Sequence, residues 1–205
     1  MVIPAIHRVI EQQAAAHPET VAVVAGARAV TYRELNHRAN GLARHLIASG
    51  LTRGAHALVK MERSTDLAVV LLAVLKAGGV YTWIDPAARQ ADETPRGLTI
   101  VQGACGGEQR FLALDLQAAL SDRSPRTSPN LPILTRGSDV ACILPAADNS
   151  PHVLVPHATV TSLNHAVGLS SAPWGRSPGA FDLWVSLMSG GTVTVDEEPL
   201  ETAAA

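Results

Sequence analysis

The sequence predicts an α/β fold: a mainly parallel β-sheet with flanking helices on both faces. Through the first ninety residues, short apolar runs typical of buried strands alternate with segments whose apolar residues recur at helical spacing. Glycine, proline and capping residues mark the junctions between these segments. Strands that alternate with helices indicate crossover connections, which place strands in parallel and pack helices over the sheet.

The composition excludes several classes of protein. The chain has 205 residues, of which 47% are hydrophobic and 17% charged, as in a soluble globular protein. Its net charge of -2 gives no basic field, so we expect neither nucleic acid nor a membrane as partner. No signal peptide or membrane span is predicted, and a cytoplasmic location is expected. Cys105, Cys142 and the eight histidines show no metal-binding spacing, so no metal site is predicted.

Two helices and a hairpin are predicted in the first fifty residues. The first helix should end near His17, because Pro18 follows. Two short β runs about Gly26 predict a hairpin. Thr31 and Glu34 then form a capping box that opens the second helix, and Gly50 is suited to end it. The apolar face of the first helix comprises Ile6, Val9, Ile10 and Ala14, and that of the second comprises Leu35, Ala39, Leu42 and Leu46.

The next segment alternates in the same way. A-L-V-K-M is a buried-type strand, and Ser64 caps a helix over T-D-L-A-V-V-L-L-A-V-L-K that is apolar nearly all round. Gly78 and Gly79 end this helix, and V-Y-T-W-I-D is the following strand. After residue 87 the pattern weakens. L-T-I-V and R-F-L-A-L-D-L are predicted as short strands.

The chain is predicted to divide at a connector rich in proline and serine. The predicted units are a first α/β subdomain over residues 1–120, the connector over 121–137 and a partial second α/β subdomain over 138–205. The second unit holds the strands V-A-C-I-L and V-L-V, a helix from about His157 to Val167, a short helix around F-D-L-W-V-S-L-M and the strand T-V-T-V.

Three motifs in the first ninety residues resemble the start of a nonribosomal peptide synthetase adenylation domain, a member of the adenylate-forming superfamily. They are I-H-R-V-I-E-Q-Q-A-A-A-H-P-E-T-V-A-V-V, T-Y-R-E-L-N-H-R-A-N-G-L-A-R-H-L and L-L-A-V-L-K-A-G-G-V-Y-T-W-I-D-P, in the family's order and spacing. The resemblance implies activation of an amino acid as its adenylate, with ATP and Mg²⁺, and transfer to a carrier-protein thiol. It also implies that much of the large domain and a small domain with a catalytic lysine would follow residue 205.

The segment that occupies the place of the family's phosphate loop is altered. The family loop reads T-S-G-S-T-G-x-P-K-G, whereas residues 145–156 read P-A-A-D-N-S-P-H-V-L-V-P, without glycine or lysine. Glycine lets backbone N–H groups turn towards a phosphate, and a cation supplies the compensating charge. We therefore expect that ATP and Mg²⁺ do not bind and that no catalytic residue is present. The degenerate loop positions are Ala147, Asp148, Asn149, Ser150 and His152.

A second family motif is a phenylalanine–aspartate pair whose carboxylate holds the substrate's amino group. Phe181 and Asp182 offer such a pair, but counting back from Gly190 places Asp182 at a later glutamate of the family and Ser177 at the aspartate. Two interpretations of Asp182 stay open. It is either an amine anchor or a carboxylate that stabilises the start of a helix.

These observations predict a catalytically degenerate, truncated adenylation-like domain of a nonribosomal peptide synthetase that acts as a structural or protein-interaction module. The expected partners are neighbouring condensation or carrier domains, or a second copy of the chain. Strand edges of V-A-C-I-L, V-L-V-P and T-V-T-V are expected to need covering. Trp184 and Met188 are the candidate interface anchors, and the alternative is that both belong to the domain's own core. Two other functions stay open: an amino-acid-activating domain completed by a partner, and a relic that merely folds.

Overall fold

The structure is a computed structural model. The residues that it describes include nine strands and five α-helices. The described part comprises residues 3–86, 98–101, 128–132, 135–145, 152–167, 171–174 and 178–195. The helices are α1 (Ile6–Ala16), α2 (Tyr32–Ala48), α3 (Thr65–Lys76), α4 (His157–Val167) and α5 (Phe181–Met188). The strands are β1 (Val21–Ala25), β2 (Arg28–Thr31), β3 (His56–Lys60), β4 (Val80–Ile84), β5 (Leu98–Val101), β6 (Val140–Leu144), β7 (Val153–Pro156), β8 (Ser171–Pro173) and β9 (Thr192–Val195).

The strands form two mainly parallel sheets, which confirms the predicted α/β class. The first sheet has the order β2-β1-β9-β8, with β1, β9 and β8 parallel and β2 antiparallel to β1. The second has the order β5-β3-β4-β6-β7, parallel except for β7, which pairs antiparallel with β6. The sequence predicted one sheet, because apolar periodicity identifies strands but not the strands they pair with.

Helix α3 packs against both sheets. It contacts β1 and β2 of the first sheet and β4 of the second, and it also contacts α1 and α2. Its side chains are buried from Thr65 to Lys76, with Asp66 as the exception. A helix that is apolar on every face is stable only where every face is covered. The sequence pattern of α3 is thus explained by its central position.

Local signals in the sequence place the helix ends correctly. Glu34 N donates to Thr31 Oγ1 at 3.2 Å and Thr31 N donates to Glu34 Oε2 at 3.0 Å, so the predicted capping box is present. Leu67 N donates to Ser64 Oγ at 3.1 Å, as the predicted cap requires. Gly50, after α2, has a φ of 100°, a conformation that glycine adopts without strain.

Part of the predicted connector is docked on helix α2. Asn40 Nδ2 donates to Ser128 O at 2.7 Å, and the Arg44 guanidinium donates to Ser128 Oγ and Pro129 O. The Leu131 side chain is buried in the core. Residues 128–132, which lie within the predicted connector of 121–137, are therefore packed against the folded structure.

The predicted boundaries at residues 120 and 138 do not separate two units in the described ranges. The first sheet joins β1 and β2 to β8 and β9, and the second joins β3, β4 and β5 to β6 and β7. Each sheet therefore takes strands from both sides of the connector. The predicted strand R-F-L-A-L-D-L and Cys105 lie outside the described residues. None of the described helices combines the length and hydrophobicity that a membrane-spanning helix needs.

Candidate functional site

The counterpart of the phosphate loop connects β6 to β7 at the edge of the second sheet. Leu144 at the end of β6 pairs with Val153 at the start of β7, so residues 145–152 join the two strands. Residues 146–151 lie outside the described residues, and with them Ala147, Asp148, Asn149 and Ser150. Their sequence-based roles stay predictions. His152 is described and lies exposed immediately before β7.

A polar chain crosses three strands beside this loop. His56 Nε2 lies 2.8 Å from Thr82 Oγ1, which donates to Ile143 O at 3.1 Å. Because the Thr82 hydroxyl donates its hydrogen to Ile143 O, it accepts a hydrogen bond from His56 Nε2–H. His56 Nδ1 is buried and has no hydrogen-bond partner. Burial lowers the pKa of His56, and the charge of His152 lowers it further. His56 is therefore neutral at pH 7 and supplies no positive charge to the loop.

The arrangement of His56 was missed from the sequence. Its place at the start of a strand was visible, but the threonine beside it lies on the neighbouring strand, 26 positions later in the chain. Only the parallel register of β3 and β4 brings the two side chains together.

Three other basic groups that the structure describes near this sheet, Arg63, Lys76 and Lys60, are engaged or distant. The carboxyl ends of parallel strands share one edge, where ligands bind in open α/β sheets. Just beyond that end of β3, Arg63 NH1 donates to Asp85 Oδ2 at 2.6 Å, and its guanidinium carbon lies 5.0 Å from the centre of the Trp83 ring. Lys76 is fully buried and donates to Glu11. Lys60 ends β3, two strands from β6, which is roughly 10 Å at the usual strand spacing.

Asp182 lies in the first turn of α5 and is partly buried, whereas Ser177 lies outside the described residues. Ala180 caps α5 without a side-chain hydrogen bond and has a φ of 59°. A carboxylate in the first turn stabilises the positive end of a helix dipole, which is one of the two interpretations the sequence left open.

Trp184 and Met188 lie in the core and not on the surface. The exposed fraction is 0% for Trp184 and 1% for Met188. Trp184 Nε1 donates to Tyr81 OH at 2.6 Å, which joins α5 to β4. Their proposed role as interface anchors is therefore not supported by their position, and the alternative, core packing, agrees with it. The helix they belong to packs against α1, α4 and strands β8 and β9, so its apolar face is covered within the chain.

An exposed apolar surface lies instead on β7. Val153 is 55% exposed and Leu154 is 59% exposed, on a strand at the edge of its sheet. Adjacent residues of a strand point to opposite faces, so the edge is apolar on both of them. This strand belongs to the V-L-V-P segment that the sequence analysis singled out, whereas β6 and β9 have strands on both sides.

Metal ligands do not converge in the described part of the chain. No group of three or more histidine, cysteine, aspartate or glutamate side chains is arranged there to hold an ion. Cys142 is buried as a free thiol, and burial raises its pKa to about 12. Among the described residues, β6, β7 and their neighbours therefore offer hydrogen-bonding groups but no metal centre.

Comparison with known proteins identifies the family. Residues 10–93 match the AMP-binding enzyme family. The chain is similar to malpinin synthetase of Mortierella alpina, with 47% identity over 81 residues, 40% of this chain and 1% of the relative. It is also similar to malpibaldin synthetase of the same organism, with 32% identity over 97% of this chain and 4% of the relative. The chain thus spans a small part of the curated relatives it matches.

The fold is that of an adenylation domain of known structure. NpsA-ThdA of Klebsiella oxytoca, an artificially fused adenylation-PCP di-domain of a nonribosomal peptide synthetase, superimposes with a TM-score of 0.77. The match covers 96% of this chain and 40% of that chain, at 22% sequence identity. The chain matches the AMP-binding enzyme family over residues 10–93 and is a partial adenylation domain of the nonribosomal peptide synthetase type.

Proposed function

We propose that this chain is a member of the family that does not form an adenylate and acts as a structural and interaction module. One observation carries the proposal: the connection between β6 and β7 has neither glycine nor lysine. Backbone amides that wrap a phosphate need conformations and close approaches that glycine allows and other residues resist. The segment lacks these properties over its whole length.

The charges around the connection support the same conclusion. Asp148 adds a carboxylate to the segment that takes the place of the family's phosphate loop, and repulsion between two unit charges about 4 Å apart is about 1 kcal/mol in water and 4 kcal/mol near a protein surface. The described neighbours offer little compensation, because His56 is neutral and Arg63 is paired with Asp85. Neither ATP nor Mg²⁺ is expected to bind.

The exposed β7 edge supports the interaction role. An edge strand with apolar side chains exposed on both faces is a template for pairing with another chain, and natural proteins usually cover or charge such edges. Val153 and Leu154 are uncharged and more than half exposed. The partner we propose is a neighbouring condensation or carrier domain of a peptide synthetase, with a second copy of the chain as the other outcome.

Nucleotide binding is tested first. We expect that millimolar ATP with Mg²⁺ leaves the melting temperature unchanged, because a ligand stabilises a protein only by binding its folded state. Amino-acid-dependent pyrophosphate exchange should stay at the level of a heat-killed control. A rise of several degrees would contradict the proposal. Exchange that begins when a neighbouring synthetase domain is added would favour the alternative, an amino-acid-activating domain completed by a partner.

The β7 edge is tested with a matched pair of variants. Leu154→Asp places a charge on the edge strand, and Ile47→Asp places one on α2, where Ile47 is 40% exposed. We expect Leu154→Asp alone to abolish binding to adjacent synthetase domains, or self-association, in sedimentation and pull-down experiments. If the wild-type chain is a monomer at all concentrations and binds none of these domains, the interaction role is excluded and the chain is a relic that merely folds.

A further inference from the structure

Two buried histidines meet where α1 and α4 begin. His7 and His157 are each 1% exposed, and their ring centres are 5.8 Å apart in an edge-to-face arrangement. Ile6 N donates to His157 Nδ1 at 3.3 Å, so Nδ1 is an acceptor and the proton of the neutral ring is on Nε2. His7 Nδ1 is buried and has no hydrogen-bond partner.

The His157 ring acts as the cap of α1. Ala5, at the N-cap position, provides no side-chain hydrogen bond. The N–H groups of a first turn need acceptors from outside the helix, and His157 supplies one from a segment 151 positions away. A second bond, from Thr161 Oγ1 to Pro4 O at 3.1 Å, also joins α4 to the segment before α1.

Protonation of His157 would break this cap. A proton on Nδ1 removes the acceptor and turns an N–H group towards the N–H of Ile6. It also places a positive charge at the N-terminus of α1, the positive end of the helix dipole. Both rings are buried, so bulk water does not solvate that charge.

The charged groups around the pair oppose proton uptake. Arg8 and Lys76 face His7, and the Glu11 carboxylate between them is hydrogen-bonded to both. Burial lowers the pKa of His7 well below its usual value, and His157, Lys76 and Arg8 lower it further. The side chains that shift the pKa of His7 are all basic, and the nearby Glu11 carboxylate is already hydrogen-bonded to Arg8 and Lys76.

Asp139 is the carboxylate that favours a charged His157. It is engaged by Arg53 Nη2 at 2.6 Å and by the backbone N of Arg136 at 3.0 Å. Burial nevertheless lowers the pKa of His157 to about 4, against the opposing effect of Asp139.

We propose that the His7–His157 contact is an acid-sensitive latch that releases the first turn of α1 from α4 when the histidines take up protons. The driving force is the difference in proton affinity between the closed and open states. With a pKa of about 4 when closed and about 6.5 when open, His157 alone raises the open population about 20-fold between pH 7 and pH 5.

Amide hydrogen exchange of the intact chain tests the latch. After correction for the intrinsic exchange rate, the amides of Ile6–Ile10 should lose protection about 20-fold between pH 7 and pH 5. At pH 5 they should exchange faster than the amides of α3, and low urea concentrations should leave their rate unchanged, because a local opening exposes little surface. Equal protection and equal urea dependence in α1 and α3 would overturn the proposal.

A matched pair of histidine variants identifies the group responsible. His157→Asn keeps an oxygen that can accept from Ile6 N and does not titrate in this range, so the loss of protection in α1 should disappear. His45→Asn removes an exposed histidine on α2 and should leave it intact. An unchanged loss in His157→Asn would overturn the assignment. If that variant does not fold, the comparison of α1 with α3 in the wild-type chain still decides.

Discussion

The Tyr81 hydroxyl is hydrogen-bonded to one polar group of α5 and to one in the turn before it, so its removal measures how much these two bonds stabilise the fold. It accepts a hydrogen bond from Trp184 Nε1 and donates one to Gly179 O, both at 2.6 Å. Burial raises the pKa of Tyr81 well above its usual value, with Cys142 adding to the effect, so the hydroxyl keeps its proton. Tyr81→Phe preserves the ring, and its cost is therefore polar and not a cavity.

The expected cost follows from the two groups left behind. The indole N–H of Trp184 is fully buried and the Gly179 residue is partly buried. An orphaned buried polar group costs about 1–3 kcal/mol, so we expect Tyr81→Phe to lower the free energy of unfolding by about 3 kcal/mol. The measurement is urea unfolding at pH 7, monitored by circular dichroism because the substitution changes the environment of Trp184 and therefore its fluorescence.

Tyr32→Phe is the matched control, because Tyr32 is equally buried. Its hydroxyl lies 2.9 Å from Leu187 O and 2.8 Å from Gly191 O, but its one hydrogen can serve only one carbonyl fully. Leu187 O also accepts from Gly190 N. We expect a smaller cost, about 1.5 kcal/mol. A Tyr32→Phe cost equal to that of Tyr81→Phe, or a Tyr81→Phe cost below about 1 kcal/mol, would refute this reasoning.

A helix cap, a docked segment and a buried histidine each give a further expectation, measured by urea unfolding. Ser64→Ala should cost about 1 kcal/mol through loss of the α3 cap, whereas Ser162→Ala, at an exposed serine of α4, should change stability by less than about 0.5 kcal/mol. Asn130→Ala should cost about 2 kcal/mol, because the Asn130 side-chain oxygen accepts hydrogen bonds from two asparagines of α2 and lies 3.5 Å from Lys76 Nζ. The absence of a measurable cost would contradict the docking of residues 128–132. The pKa of His157 is lower in the folded chain than in the unfolded chain, so its stabilising contribution is complete above about pH 6.5. About 2 kcal/mol of that contribution should be lost by pH 5 in the wild type but not in His157→Asn.

Much of the candidate site could be anticipated from the sequence, because it depends on which residue types are present. The absence of glycine and lysine between β6 and β7 is a property of the chain itself. The neutral state of His56 could not be anticipated, since it follows from burial and from Thr82 on the adjacent strand. The sequence marked V-L-V-P as one of three strands with an edge to cover, but it could not single out Val153 and Leu154, because apolar strands have the same pattern at the centre and at the edge of a sheet.

The sequence by itself determined the elements whose signals are local. Caps and periodicity act within one or two turns, which is why the capping box at Thr31, the cap at Ser64 and the bounds of α4 agree with the structure. Tertiary structure alone decided the pairing of β1 with β9, the docking of residues 128–131, the capping of α1 by His157 and the burial of Trp184 in this chain's own core. Each of these joins residues far apart in the chain. The hydrophobic effect says that an apolar group leaves water but not which surface covers it, so only the folded arrangement selects the partner.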